Sequence, residues 1–392
     1  MKHFALLGLF LTWSLANSLP SYAEVSESLK TIQSVGLEGK GNSEAAQAWS
    51  ELVETGPTII LPSLQAMGEA SPLARNWLRS AVEAVVENAR SSDAELPTAE
   101  IRQFLLDRSG EPNARTLAYD LYASIDEEAA TELVPGMIDD PSPGLRREAV
   151  GQLIGKGKSL LADEKTEESA ATLRNALEAA REVDQIEEIA KLLRKDLEQT
   201  VDLPHQFGFL LYWNLVGPFD NTDRAGFDTV YPPEESVDLA ASYEGKDNKE
   251  IRWQDYSTAD DYGMVDFNQP YGPIKEVVGY AYTEFQSEKE QDVELRLGCK
   301  NAWKIWLNGE LVFGRDEYHR GIRIDQYILP VTLNEGKNTL LVKACQNEQE
   351  QDWTVQWQFQ LRVCDSTGAA VYSTDRKPTP DPVAKPRRRG AE

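Results

Sequence analysis

Hydrophobic and polar positions change period once along the chain. Between residues 353 and 363, Trp353, Val355, Trp357, Phe359, Leu361 and Val363 alternate with Thr354, Gln356, Gln358, Gln360 and Arg362. A period of two turns one set toward a core and the other toward water, the signature of a half-buried strand. The segments DVELRLGC (292–299), AWKIWLNGELVFG (302–314), IRIDQYILP (322–330) and KNTLLVKAC (337–345) also predict strands. Asn308-Gly309 separates KIWL from ELVF, and this dipeptide supplies the positive φ angles of a type I′ hairpin turn. A hairpin is also expected between 338–345 and 353–364. Further upstream, residues 209–216 predict the first strand, 222–275 are loop-rich, and 277–285 begin the next clear strand.

Residues 24–200 instead follow a helical period. Leu78, Ala81, Val82, Val85 and Val86 share one face, as do Leu173, Leu177 and Ala180, then Ile186, Ile189, Leu192 and Leu193. A degenerate repeat runs through this half. Ser71-Pro72-Leu73-Ala74-Arg75, Glu111-Pro112-Asn113-Ala114-Arg115 and Ser142-Pro143-Gly144-Leu145-Arg146 each place Pro-x-x-Arg before an apolar-periodic run. Proline suits the first turn of a helix, and Ser71 and Ser142 are candidate caps. The unit spacing resembles HEAT-type repeats, and the helix pair at 159–198 is similar to a TPR unit. An irregular all-α bundle is the competing reading.

These patterns divide the chain into a leader at 1–23, a helical-repeat domain at 24–200, a β-sandwich at 201–372 and a disordered tail at 373–392. The fold class expected is α+β, a helical-repeat domain followed by an antiparallel sandwich. Pro204 marks the boundary, and the composition shifts with it: six of the nine Trp and eleven of the fourteen Tyr follow residue 200. At the N-terminus, Lys2, the apolar run 4–16 and Ser21-Tyr22-Ala23 read as a secretory signal, which implies export to the periplasm or beyond the cell. That run is too short to span a bilayer, so no stable membrane insertion is expected. The tail is proline-rich and carries Arg387-Arg388-Arg389.

Charge and cysteines narrow the function classes. A formal net charge of −25 repels phosphate backbones and argues against a nucleic-acid partner. Of the three cysteines, strand parity points Cys299 inward and Cys345 and Cys364 outward, so no internal disulfide is expected.

Trp303-x-x-Trp306-Leu307-Asn308-Gly309, Tyr318-x-x-Gly321, Asp325 and Gly336-x-Asn338-x-Leu340-x-Val342-Lys343 together resemble the sugar-binding jelly-roll domain of glycoside hydrolase family 2, which has a galactose-binding-like fold. The layout, with WNLVGPFDN leading into the sandwich, also resembles a group of exported bacterial proteins of uncharacterised function. This resemblance implies a fold more than an activity. The hydrolase family keeps its catalytic carboxylates in a separate barrel, and no stretch of this chain resembles that barrel. On residue grounds, Asn308-Gly309 and Gly336 make turns, Asp325 bonds the loop after it, Trp357 belongs to the core, and Trp306 lies on an outer face.

Chemistry-bearing residues are sparse. Beyond the leader only His205 and His319 remain, and there is no Gly-x-Ser-x-Gly elbow. Sugar recognition needs an aromatic platform with amides, carboxylates and arginine for the hydroxyls. Asn301, Trp303, Tyr318, His319, Arg320 and Trp353 are the expected ligand-binding residues. A loop knitted by ion pairs is the alternative reading of 315–321. Asp220, Asn221 and Asp223, with Asp228 nearby, are the expected ligands of a structural calcium; no other cofactor is expected.

The sequence therefore predicts an exported, non-catalytic protein. Its sandwich would recognise carbohydrate or glycosylated envelope material, and its helical half would offer a protein-contact surface. Alternatives are a protein–protein scaffold that binds no sugar, an accessory part of a glycoside-hydrolase system, and an unrecognised hydrolase using Asp or Glu pairs.

Overall fold

The computed structural model describes residues 22–381. The expected leader falls almost wholly outside them, on residues 1–21, as does the Arg387–Arg389 cluster. Among the described residues no helix is long and apolar enough to cross a membrane. The chain forms two compact units that divide between Gln152 and Leu153.

The first unit is helical. Its elements are α1 (Tyr22–Gln33), α2 (Asn42–Thr55), α3 (Ile60–Ala66), α4 (Pro72–Ser92), α5 (Thr98–Leu106), α6 (Pro112–Ile125) and α7 (Glu127–Leu133), and it ends within α8 (Pro143–Ala162). The apolar face of α4 predicted from spacing is buried at Leu78, Ala81, Val82, Val85 and Val86. Ser71 caps α4 by accepting from the Ala74 N–H at 3.2 Å, and Glu111 caps α6 by accepting from the Ala114 N–H at 2.7 Å. The Ser142 hydroxyl instead donates to the Pro112 carbonyl at 2.8 Å.

The three arginines of the Pro-x-x-Arg units do equivalent work. Each donates its Nε to a main-chain carbonyl just upstream: Arg75 to Met67, Arg115 to Leu105 and Arg146 to Asp140, all at 3.0 Å. A carboxylate preceding the next unit then meets each of the first two. Arg75 lies 3.4 Å from Glu111, and Arg115 forms a bidentate pair with Asp140 at 2.6 and 2.8 Å. These contacts satisfy helix-end carbonyls that would otherwise be orphaned inside the stack. Burial opposes the Asp140 carboxylate, but bonds from Arg115 and the Ser142 N–H hold its pKa below the usual carboxylate range.

The second unit opens with α9 (Thr166–Ala179), α10 (Val183–Lys191) and α11 (Leu203–Phe207), then turns to strands. These are β1 (Tyr212–Asp220), β2 (Ser242–Glu244), β3 (Glu250–Arg252), β4 (Gln254–Ser257), β5 (Val265–Asp266), β6 (Val277–Ser287), β7 (Gln291–Cys299), β8 (Ala302–Leu307), β9 (Glu310–Arg315), β10 (Tyr327–Leu333), β11 (Gly336–Gln346) and β12 (Gln358–Cys364). Helix α10 ties to the strand region within this unit. Arg194, just after it, donates to both oxygens of Asp261, and the Tyr262 hydroxyl donates to Glu187 at 2.9 Å. The helix pair therefore belongs to the sheet-bearing unit.

One antiparallel sheet runs β4-β1-β6-β11-β8-β9 and a second runs β10-β7-β12-β5, with β2-β3 as a separate ribbon. Leu215, Ala281, Phe285, Ile305, Val342 and Ala344 of the first share one core with Val293, Leu295, Leu297, Phe359, Leu361 and Val363 of the second. Trp357 is buried there as predicted, its indole N–H donating to the Ala344 carbonyl at 3.0 Å. Asn308 and Gly309 both have positive φ, 53° and 84°, and close the β8–β9 hairpin.

Four expectations need correction. Strands β11 and β12 do not form a hairpin: β11 pairs with β6 and β8, whereas β12 pairs with β7 and β5, so the connection crosses between sheets. The alternation at 353–357 is not strand; a 3₁₀ turn occupies Asp352–Thr354 and β12 starts at Gln358. Asp325 does not bond the following loop but anchors Arg296 and Arg362, which lie 2.8 and 2.7 Å from its oxygens. Residues 373–381, expected to be disordered, lie against the second unit. Ser373 Oγ accepts from the Gln286 N–H at 2.8 Å, Arg376 donates to the Phe209 carbonyl at 3.0 Å, and Thr379 donates to Asp202 at 2.9 Å.

The first sheet is buried on its second face as well. Val216, Phe219, Val278, Tyr280, Tyr282, Trp306, Leu341 and Cys345 form another cluster, covered by Phe227, Tyr231, Tyr243 and Trp253 from the loop-rich insertion. Trp306 lies on the outer face as expected, yet it is covered. Cys345 is equally buried, and Cys364 is covered where it bridges Ala370. All three cysteines are free thiols.

Two predictions test this packing. Arg115→Ala strands a buried carboxylate and is expected to cost ~3–5 kcal/mol, against about 1 kcal/mol for Glu111→Gln, which keeps an oxygen to cap α6 and leaves a longer, less buried pair. Urea unfolding followed by circular dichroism measures both; equal losses would contradict the burial difference. Burial also pushes the Cys299 and Cys345 thiols up to about 12 and Cys364 to about 11. A thiol-specific reagent should therefore label none in the native protein and all three after denaturation.

Candidate functional site

Four connections meet at one end of the stacked sheets: the turn after β1, the β7–β8 turn, the segment after β9, and the β11–β12 crossover. Gln346 ends β11 beside them, and Asn347 follows it. The segment after β9 reverses direction through His319 and Gly321, whose φ angles are 59° and 78°. The His319 N–H donates to the Lys300 carbonyl at 2.6 Å. Its ring Nε2 lies 2.8 Å from Asn347 Oδ1, and the ring meets Trp353 edge-on at 5.4 Å. Lys300 Nζ donates to the Trp353 carbonyl at 2.6 Å and to Gln356 at 2.9 Å, which ties the crossover to the β7–β8 turn.

Asn221 enters this corner from the turn after β1. Its amide donates to the Gln346 carbonyl at 2.8 Å and to the Tyr318 hydroxyl at 3.2 Å. Arg224 lies over the Tyr318 ring at 5.3 Å and pairs with Glu348 at 3.0 Å. Between these groups opens a cavity of 340 Å³ lined by Arg224, Asp316, Tyr318, Arg320, Asn347 and Gln349. Trp353 stands beside it, 56% exposed. Three buried polar atoms of the corner have no partner within the protein: Asn221 Oδ1, His319 Nδ1 and Asn347 Nδ2. Such atoms are rare in folded proteins and mark places where water or ligand is held.

Electrostatics keep His319 neutral. Burial lowers its pKa first; the Asn347 bond opposes this, and Lys275, Lys300 and Arg224 lower it further. Burial likewise raises the Tyr318 hydroxyl pKa, so it stays protonated.

The structure sorts the expected binding residues into two groups. Tyr318, His319, Arg320 and Trp353 converge on the corner. Trp303 is a correction: it is fully buried in the inner core, packed against Tyr327 and Phe313, and cannot reach a ligand. Asn301 is a second correction. It is buried, with its amide donating to Gln346 and the Gln356 carbonyl, so it braces the crossover from inside. Arg224, Asp316, Asn347 and Gln349 were not anticipated, because nothing local in the sequence signals that distant turns meet.

The expected calcium ligands do not assemble into a site. Asp220 pairs with Lys246 at 3.1 Å and accepts from Thr222, Asn221 turns inward to Gln346, and Asp223 sits exposed in a left-handed conformation. Among the described residues no group of three or more His, Cys, Asp or Glu is poised to hold a metal.

A larger cavity, 620 Å³, lies elsewhere, between β4-β1-β6 and residues 373–377. Its polar groups are largely spent on one another. The Tyr212 hydroxyl donates to the Pro378 carbonyl, Asn214 to Asp255, and Glu284 takes both Tyr282 and Lys337. Lys377 also covers the Tyr212 ring at 5.1 Å. The smaller corner, with unspent polar atoms and an open indole, is the better candidate.

No family profile and no curated protein matches the chain. Among solved structures, it is similar to the Kluyveromyces marxianus β-glucosidase. In the glucose complex the match has 14% identity and a TM-score of 0.22 and covers 39% of this chain and 15% of that one. In the selenomethionine-labelled form the values are 11%, 0.25, 77% and 38%. The chain thus spans well under half the length of these structures.

The lowered His319 pKa has a stability consequence. Because the unfolded state takes up a proton more readily, this contribution is complete above the ordinary histidine pKa and is lost as pH falls from there through the folded value. Urea midpoints should fall over that window in the wild type and fall less in His319→Gln; identical profiles would contradict it.

Proposed function

We propose that this is an exported, non-catalytic binding protein. Its stacked sheets are read as a galactose-binding-like jelly roll that recognises carbohydrate, or glycosylated envelope material, at the corner of Tyr318, His319, Arg320 and Trp353. The first unit is read as HEAT-like repeats offering a protein-contact surface. The recurrent Arg75, Arg115 and Arg146 contacts support the repeat reading.

One observation carries the carbohydrate reading: an exposed indole, edge-on to His319, stands next to a polar cavity lined from three converging connections. The apolar face of a pyranose stacks on such a ring, and its rim hydroxyls need amides and carboxylates at the side. Asn347, Gln349 and Asp316 line that side.

A glycan array probed with the full chain tests the reading. Retention on one glycan class is expected. Trp353→Ala should weaken it about tenfold, a loss of roughly 1.4 kcal/mol, without shifting the thermal midpoint. No retention on any glycan would remove the carbohydrate reading.

A further inference from the structure

We infer that the sugar taken by the Trp353 corner is uncharged, selected through hydroxyl groups and not through a carboxylate or sulfate. The inference rests on the carbohydrate reading above and specifies its substrate class.

The cations of the corner are already engaged. Arg224 is paired with Glu348 at 3.0 Å, and Arg320 with Glu317 at 3.3 Å. Lys300 donates to the Trp353 carbonyl and Gln356, and Lys275 donates to the Thr354 carbonyl at 2.9 Å. An anionic sugar would have to compete with Glu348 and Glu317 for the two arginines that line the cavity, whereas a neutral sugar leaves both pairs in place.

What the corner leaves unspent has a different character. Asn221 Oδ1 can only accept, Asn347 Nδ2 can only donate, and His319 Nδ1 can only accept, because Nε2 of the neutral ring carries the proton toward Asn347 Oδ1. A hydroxyl, both donor and acceptor, satisfies any of the three. A carboxylate or sulfate offers acceptors alone. It would face Asp316 and Glu317, which line the cavity, in a chain of net charge −25.

Titration of the full chain with paired neutral and anionic oligosaccharides of equal length, one uronate-bearing and one sulfated, tests this. Neutral sugars should bind, with affinity little changed as sodium chloride rises from about 50 to about 500 mM, since no exposed ion pair forms. Asn347→Asp keeps the acceptor for His319 and removes the spare donor. It should weaken neutral-sugar binding about tenfold with the near-UV spectrum unchanged. Binding confined to anionic sugars, and falling with salt, would overturn the inference while leaving the carbohydrate reading in place. Unchanged neutral binding by Asn347→Asp would overturn the role of the unspent amide. Absence of binding to every sugar would remove both the inference and the reading it rests on.

Discussion

The ammonium of Lys343 sits at the centre of the six-stranded sheet with no exposed surface, and the arrangement of the second unit follows from how it is satisfied. Its three donors go to the Phe227 carbonyl at 3.1 Å, the Thr229 carbonyl at 2.8 Å and Glu234 at 2.7 Å. Tyr280 donates to the same carboxylate, and the Tyr231 and Tyr280 rings flank the charge. A buried ammonium without its partners is strongly destabilising, so the insertion must lie where it supplies all three acceptors. That placement seals Phe219, Trp306 and Cys345 from water. It also holds the turn after β1, which delivers Asn221 and Arg224 to the corner.

The second sheet has a counterpart. Arg362, also buried on the face turned away from the shared core, pairs with Asp325, donates to the Phe207 carbonyl at 3.1 Å and packs over the Phe207 ring. Asp325 takes Arg296 as well. Such pairs contribute position more than net stability, because desolvation offsets most of the attraction. Here the position matters: Asp325 anchors the far end of the segment that carries Tyr318, His319 and Arg320. The corner is thus suspended between two buried ionic anchors, and three of its polar atoms keep no partner within the protein.

Much of this was legible along the chain. The alternation through Phe359, Leu361 and Val363 and the Asn308-Gly309 turn identified strands, and the Pro-x-x-Arg units located helix starts. Their success rests on local physics: side-chain period and positive φ depend on near neighbours. Trp303 misled because an aromatic among the motif residues suggested a sugar platform, whereas β8 turns it into the core. Asn301 misled because an amide at a turn looks available until its partners across the crossover are known. Lys343 and Arg362 lie opposite apolar neighbours and therefore read as solvent-facing, although the insertion covers Lys343 and Phe207 with Asp325 covers Arg362.

What the sequence determined by itself was the order of helix and strand, the inward faces of β7, β11 and β12, and the absence of a concentrated catalytic motif. Only the tertiary structure decided which sheet each strand joins, that the first sheet's outer face is covered, and that Asn221, His319, Asn347 and Trp353 share one corner. The reason is physical. Periodicity records which side of an element avoids water, but which distant segment provides the cover depends on long-range satisfaction of buried charge, and no local pattern encodes that partner.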